Sequence, residues 1–391
     1  MRVDFESLEP LLHILDLLYR HDEDQVDRFN HLYSVIIFLI LAMITTAHHF
    51  IGEPIKCWSP AQFPESWAEY ANTVCWISNT YFIPMSDRNI ATAPRNKIIY
   101  YQWVPLVLLL QALMFSAPWY IWMSLNHSSG LDINKIIKHC RSIEYKRQEY
   151  RDNVIRYLVH QIERFLKRSY AQSTGCLTKT RFFLANIGCL YGKHYGNYLI
   201  AVYILTKVLY SGNVVAQLLL TTEYLGTKNW LFGLEAVKDM ATNGTIRESP
   251  SFPRVTLCDF DIRSLGHKVF AYTVQCTLPI NLFNEKIFIF IWFWLMLLGV
   301  TNFLSMTWWI GNFFATDRRS YIKKLLHDME RYNKRQHKEK LAVFTQKYLK
   351  QDGYFIIRMI EKNTHDVIVA EIVAELWDNF HVYEGRTRIE V

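Results

Sequence analysis

Charge is missing from three long stretches of this 391-residue chain, and that absence bounds most of what it can be. No Asp, Glu, Lys or Arg occurs in residues 31–52, 98–126 or 287–316. Each stretch can cross a hydrocarbon core of about 30 Å as a helix, which takes about 20 residues. The length alone suggests two or three soluble domains, and these runs override that reading. Motifs of catalysis are missing too: there is no G-x-S-x-G, no Walker loop and no Rossmann glycine pattern. His48 and His49 are adjacent, so on a helix they face different directions, and no further histidine box follows. The pair His139-Cys140 lacks partners. An enzyme is disfavoured, and neither a cofactor nor a metal-ligand set emerges. A cleavable leader is also absent: the first 30 residues carry eight Asp and Glu against three Arg, with no basic segment before an apolar core. The first span therefore serves as its own insertion signal.

A fourth span, 194–222, is interrupted only by Lys207. Placed near the cytoplasmic end, that side chain can snorkel to the headgroups; the alternative is a lysine facing a polar interior or pore. Four spans put both termini on one side of the membrane, and basic residues say which. Residues 123–193 hold 13 Lys and Arg and residues 311–391 hold 15, whereas residues 51–99 and 221–285 hold 4 and 6. The expected organisation is a cytoplasmic arm (1–30), span one (31–52), an extracellular loop (53–97), span two (98–125), a cytoplasmic helical loop (126–193), span three (194–222), a second extracellular loop (223–285), span four (286–312) and a cytoplasmic helical tail (313–391). The net charge of +7 follows from the basic inner segments and calls for the lipid bilayer, not a nucleic acid, as partner.

Cysteine is scarce, and four of the seven form two matched pairs: seventeen residues separate Cys57 from Cys75, and seventeen separate Cys258 from Cys276. All four fall on the oxidising side, while Cys140 and Cys176 lie inside and Cys189 near the entry of span three. Four cysteines allow three pairings, and spacing does not choose among them. The first outer loop has prolines at 54, 60 and 64, then a helical stretch from Glu65 to Cys75 and a β-prone run from Tyr81 to Ile83. The second has strand-like runs at 252–258 and 269–276. Together they predict a small disulfide-tied α/β extracellular cap on an otherwise all-α membrane protein. Asn243-Gly244-Thr245 is a glycosylation sequon in an outer loop, whereas Asn126-His127-Ser128 falls at a cytoplasmic end and is a chance match.

The cytoplasmic segments read as amphipathic helices that can pack on each other beneath the membrane. In the arm, Ser7 is a fitting N-cap, and Leu8, Leu11, Leu12, Leu15 and Leu18 share a face. Such a helix either lies on the membrane or folds into a pore mouth, where the acidic residues from Asp22 to Asp27 would favour cations. Proline is absent from 126–193, where Ile133, Ile136, Ile137 and Cys140, then Ile155, Leu158, Ile162 and Phe165, recur with helical spacing. The tail repeats this at Tyr321, Leu325, Leu326 and Met329, then at Ile368, Ile372, Ala374 and Leu376. Span two opens on Tyr100-Tyr101-Gln102-Trp103-Val104-Pro105, an aromatic belt followed by a proline expected to kink the helix; Pro118 is expected to do the same near the other end.

These elements coincide with one family. Asp27-Arg28-Phe29-Asn30 before span one, the segment from Phe50 to Trp58 after it, Tyr100 to Val104, Phe252 to Phe260, and Leu278-Pro279-Ile280-Asn281 leading to Glu285-Lys286 all resemble the innexins, the invertebrate gap-junction subunits. The resemblance covers all four spans and both outer loops and is weak in the tail. It implies rings of eight subunits around a pore, alone or mixed with other innexins, docking with a ring in the apposed cell and passing ions and small metabolites. It also implies Cys57 bridged to Cys276 and Cys75 to Cys258, an N-terminal helix turned toward the pore, a first outer loop that narrows it, and a helical cytoplasmic dome around its entrance. Related pannexins act mainly undocked, so an undocked plasma-membrane hemichannel releasing small molecules stays open, as does a non-conducting adhesion or scaffold protein.

Overall fold

The computed structural model describes residues 20, 22–83, 96–143, 146–171, 196–226, 231–243, 251–263, 269–314 and 317–389. Among them the helices, in chain order, are α1 (Gln25–Ile51), α2 (Glu65–Ser78), α3 (Val104–His127), α4 (Ile133–Ser142), α5 (Gln148–Ala171), α6 (Tyr198–Tyr224), α7 (Phe232–Asn243), α8 (Pro279–Phe314), α9 (Arg318–Asp328), α10 (Lys334–Val343), α11 (Lys350–Asn363) and α12 (Asp366–Ile389). Four of these, α1, α3, α6 and α8, are long and apolar enough to span a membrane. Large apolar side chains such as Ile40, Met43, Leu106 and Leu113 stand exposed on α1 and α3. Apolar surface on this scale requires lipid or a neighbouring subunit against it.

The chain forms two compact units. The first, residues 33–115 with 212–300, carries a five-stranded sheet in the order β1-β5-β4-β2-β3. Its strands are β1 (Lys56–Cys57), β2 (Thr80–Phe82), β3 (Asn96–Ile98), β4 (Val255–Arg263) and β5 (Val269–Thr277), paired antiparallel throughout. The β4–β5 hairpin dominates, in register from Val255 opposite Thr277 to Arg263 opposite Val269. Thr256, Cys258 and Phe260 are buried on β4 while Asp259 is exposed, so the two-residue period of a strand puts the cysteine on the inner face. Ala71 and Cys75 of α2 join that core, with Ile55, Tyr101, Val274 and Ile280. A separate core in this unit gathers Phe38, Val104, Leu108, Phe115, Phe288 and Leu295. There the Gln111 amide donates to the Thr221 hydroxyl at 3.1 Å.

One expectation for span two is corrected. The helix begins at Val104, after a 3-10 turn at Tyr100–Gln102, so Pro105 occupies its first turn. The first helical N–H groups have no intrahelical acceptor, so proline there removes no hydrogen bond and causes no kink. Pro118 alone is interior.

The second unit, residues 1–32, 116–211 and 301–391, is helical over its described residues. Ile133, Ile136, Ile137 and Cys140 of α4 are all buried, as are Ile155, Leu158 and Ile162 of α5. They meet Leu325 and Leu326 of α9 and Ile368, Ile372 and Leu376 of α12 in one core. Its centre is α11, whose residues from Tyr354 to Ile357 are all buried, preceded by a π-helical stretch at Phe344–Leu349. The expected helix over Leu8 to Leu18, Cys176, Cys189 and the Gly244-Thr245 part of the sequon lie outside the described residues.

Candidate functional site: a disulfide-tied cap and a buried charge cluster

Two disulfides join the outer loops, Cys57 to Cys276 and Cys75 to Cys258. The first staples opposed residues of β1 and β5; the second pins α2 onto β4. Both sets of sulfurs sit in the cap core, where Cys75, Cys258 and Cys276 have no exposed surface. Strand β1 is only two residues long, and its place is fixed from outside the ladder as well: the Asn72 side chain accepts from the Cys57 N–H at 2.8 Å, and the Trp58 N–H donates to the Gln275 carbonyl at 2.8 Å. Asp259 accepts from the hydroxyls of Tyr81 and Thr273 at 2.9 and 2.7 Å, tying β2 to the hairpin.

The span-two signature is the joint between this cap and a membrane helix. Tyr101 is buried against Trp76 of α2, ring centres 4.9 Å apart, and the Gln102 amide donates to the Trp76 carbonyl. Val104 turns into the core between spans. Tyr224, at the end of α6, donates its hydroxyl to the Tyr100 carbonyl at 2.6 Å. At the second joint Arg254 pairs with Glu285 at 3.3 Å, and Asn281 donates to the Pro253 carbonyl at 2.9 Å. Asn243 is the last residue of α7.

In the helical unit the acidic residues of the N-terminal segment form a buried cluster. Asp24 is the N-cap of α1, accepting from the Gln25 N–H at 2.8 Å, and Asp27 completes a capping box by accepting from the Asp24 N–H. The same Asp24 carboxylate accepts from Ser305 at 3.0 Å, from the Trp309 indole at 3.2 Å and from Lys362 at 2.9 Å. Lys207 lies between the two carboxylates, 2.8 Å from Asp27 and 3.5 Å from Asp24, and donates to Ser305 at 2.9 Å. Asp27 also accepts from Tyr203 at 2.8 Å. Asp22 is held by a bidentate Arg20 at 2.9 Å and by the Asn126 amide at 3.0 Å. Burial works against ionised Asp24, but Lys207 and Lys362 outweigh it and hold its carboxyl well below the usual range. Glu23 is the opposite case, pushed well up by burial and then by Asp22 and Asp27.

Two expectations fall here. Lys207 does not snorkel to headgroups; it is 3 % exposed, held between two carboxylates and a hydroxyl of its own unit, so the polar-interior alternative is the one realised. Nor do Asp22 to Asp27 present free carboxylates to a pore, since Asp22, Asp24 and Asp27 are buried on partners of their own subunit. Further links reach the tail: Arg28 donates to the Asn363 side chain at 3.0 Å, and Arg141 to its carbonyl at 2.8 Å. Asn30 and Asn302 exchange amide hydrogen bonds at 2.6 and 3.0 Å. Sequence reasoning missed these partners because they lie between 104 and 338 positions apart, with no local periodicity to betray them.

A second latch was equally invisible. Asp352 of α11 caps the start of α6, accepting from the N–H groups of Tyr198, Leu199 and Ile200 at 3.1, 3.0 and 3.4 Å, while its own N–H donates to the Gly196 carbonyl at 2.8 Å. Burial pushes its carboxyl up to about 7, although the three N–H groups and Lys350 pull the other way. A raised carboxyl in the fold is penalised once ionised, so its cost is absent at low pH and complete above about 7. Acidification from pH 8 to pH 6 should therefore stabilise the protein by about 1 kcal/mol through this group. Asp352→Asn, whose amide oxygen still accepts, should abolish that increment. Melting in detergent at both pH values checks it, and an unchanged pH increment in the variant would refute it.

Four apolar spans with a two-bridge cap define a multi-pass plasma-membrane protein. A family model described as innexin matches residues 23–380. The chain is 33 % identical to innexin unc-9 of Caenorhabditis elegans over 371 residues, covering 94 % of each. It is 34 % identical to innexin-19 of Caenorhabditis briggsae, over 93 % of this chain and 88 % of that one, and 30 % identical to innexin eat-5 of Caenorhabditis elegans, over 92 % and 88 %. The chain belongs to the innexin family.

Proposed function

We propose that this innexin is the subunit of a ring of eight that docks, through its disulfide-tied cap, with a ring in the apposed cell. As a gap-junction channel subunit it passes ions and small metabolites between neighbours, a function of the channel class and not of an enzyme. The observation that carries the reading is the cap: two loops far apart in sequence are bridged twice into one sheet-bearing body at the ends of four apolar spans. A docking surface has to keep its shape while separate from its partner, and a cross-linked body does so. Sidedness follows from charge, with the basic segments at 123–193 and 311–391 in the cytoplasm and the bridges in the oxidising exterior. Rings mixed with other innexins are compatible with the same design.

The undocked hemichannel is the second reading, favoured by the sequon at Asn243: a glycan there would stand on the cap-bearing unit. Recording from paired expressing cells separates the two. Junctional current or dye transfer between the cells is the expected result, and current confined to the single membrane would overturn docking. Electron microscopy of purified particles counts the subunits directly.

A further inference from the structure

The span-two signature also borders a pocket. Where α3 begins and α6 ends, a cavity of about 430 Å³ opens between Phe82, Lys97, Tyr100, Trp103, Glu223 and Tyr224. That volume lies within the range of small-ligand sites, about 300–1,000 Å³. Its walls have two properties. Four of these residues are aromatic; Tyr100 and Tyr224 hold each other edge to face with centres 6.0 Å apart, whereas Trp103 is 53 % exposed. The other two are opposite charges, both exposed, and neither is in an ion pair with the other or with any residue among those described.

A cation and an anion that share one pocket without neutralising each other fit a ligand carrying both signs. Aromatic faces select the positive end: a quaternary ammonium cannot donate hydrogen bonds, and its attraction to ring quadrupoles is worth roughly 0.5–2 kcal/mol. Location narrows the choice further. The pocket lies at the ends of two membrane-spanning helices, at the level of an interfacial Trp and Tyr, which is where lipid headgroups are found. We propose that this pocket holds the phosphocholine headgroup of a phospholipid in the leaflet adjoining the cap, its trimethylammonium against the aromatic rings and Glu223, its phosphate on Lys97. Such a lipid would wedge the cap–membrane joint at the position of the span-two signature.

The test uses the full chain in nanodiscs of equal phosphatidylcholine, phosphatidylethanolamine and phosphatidylglycerol, followed by mild delipidation and native mass spectrometry. About one phosphatidylcholine per subunit should remain on the wild type. Glu223→Gln and Trp103→Ala should each lower that retention at least fivefold, and Lys238→Gln, on exposed α7 surface, should leave it unchanged. Intact mass without reductant verifies both bridges in each variant; should Trp103→Ala fail this check, Glu223→Gln, an exposed position, carries the test. Equal retention of the three lipids, or wild-type retention in Glu223→Gln, overturns the proposal. So does binding of soluble phosphocholine by a protein that retains no phospholipid.

Discussion

Paired cells expressing only a Cys75→Ser subunit are expected to show no junctional conductance. Cys75 is wholly buried and reaches Cys258 across 183 residues of sequence, so the bridge closes a very long loop of the unfolded chain. Chain-entropy reasoning assigns such bridges roughly 2–4 kcal/mol, toward the upper end for long loops. The cap has little else to lean on: its hydrophobic core rests on one hairpin, one helix and strands of two or three residues. Losing the bridge frees α2 from β4 and leaves Cys258 as a lone thiol in an oxidising compartment, open to mispairing. Replacing Cys57 should be as harmful for a different reason. Without its bond to Cys276, β1 is retained by a few hydrogen bonds, and the chain leaving α1 loses its anchor to the sheet. Junctional conductance, read beside surface labelling of the subunit, checks both. Wild-type coupling from Cys75→Ser at wild-type surface abundance would count against the cap as the docking element.

What could be read from sequence was whatever repeats locally. A charge-free run declares a span whatever surrounds it, and Ile133, Ile136, Ile137 and Cys140 declare a helix face because 3.6-residue geometry makes them neighbours. The two long strands were visible in part, as strand-like runs at 252–258 and 269–276, although β4 runs on to Arg263. The short strands were not: Lys56–Cys57 and Asn96–Ile98 become strands only because β5 and β2 offer edges to pair with. Helix α11 was overlooked because Asp352, Gly353 and Asn363 are buried on it beside its apolar residues, so its inward face is interrupted by residues that read as solvent-facing or helix-breaking. Pro105 misled because its effect depends on where the helix begins, a boundary that sequence places only to within a few residues. The charge cluster misled most. Acidic residues beside a membrane span look like a free cation-attracting rim until their partners, on α6, α8 and α11, are known.

That cluster yields the other large prediction. Lys207→Met should destabilise the subunit by about 3–5 kcal/mol, the usual consequence of stripping one partner from a buried ion pair. The methionine fills most of the volume, so packing is nearly preserved and the loss reports charge. Asp24 would keep Lys362, Ser305 and Trp309, but among the described residues Asp27 would keep Tyr203 and the Asp24 N–H, leaving a buried carboxylate without a cation beside it. The damage should therefore be repaired in large part by Asp27→Asn in the same chain, which removes the stranded charge and still accepts from Tyr203. A snorkelling lysine behaves differently: its replacement by Met at a membrane boundary would be nearly neutral, and Asp27→Asn would rescue nothing. Melting temperatures of the purified single and double variants in one detergent decide between them. A wild-type melting temperature for Lys207→Met would mean that the N-terminal segment is not anchored through this lysine, and Asp22 to Asp27 would again be available to face the permeation path.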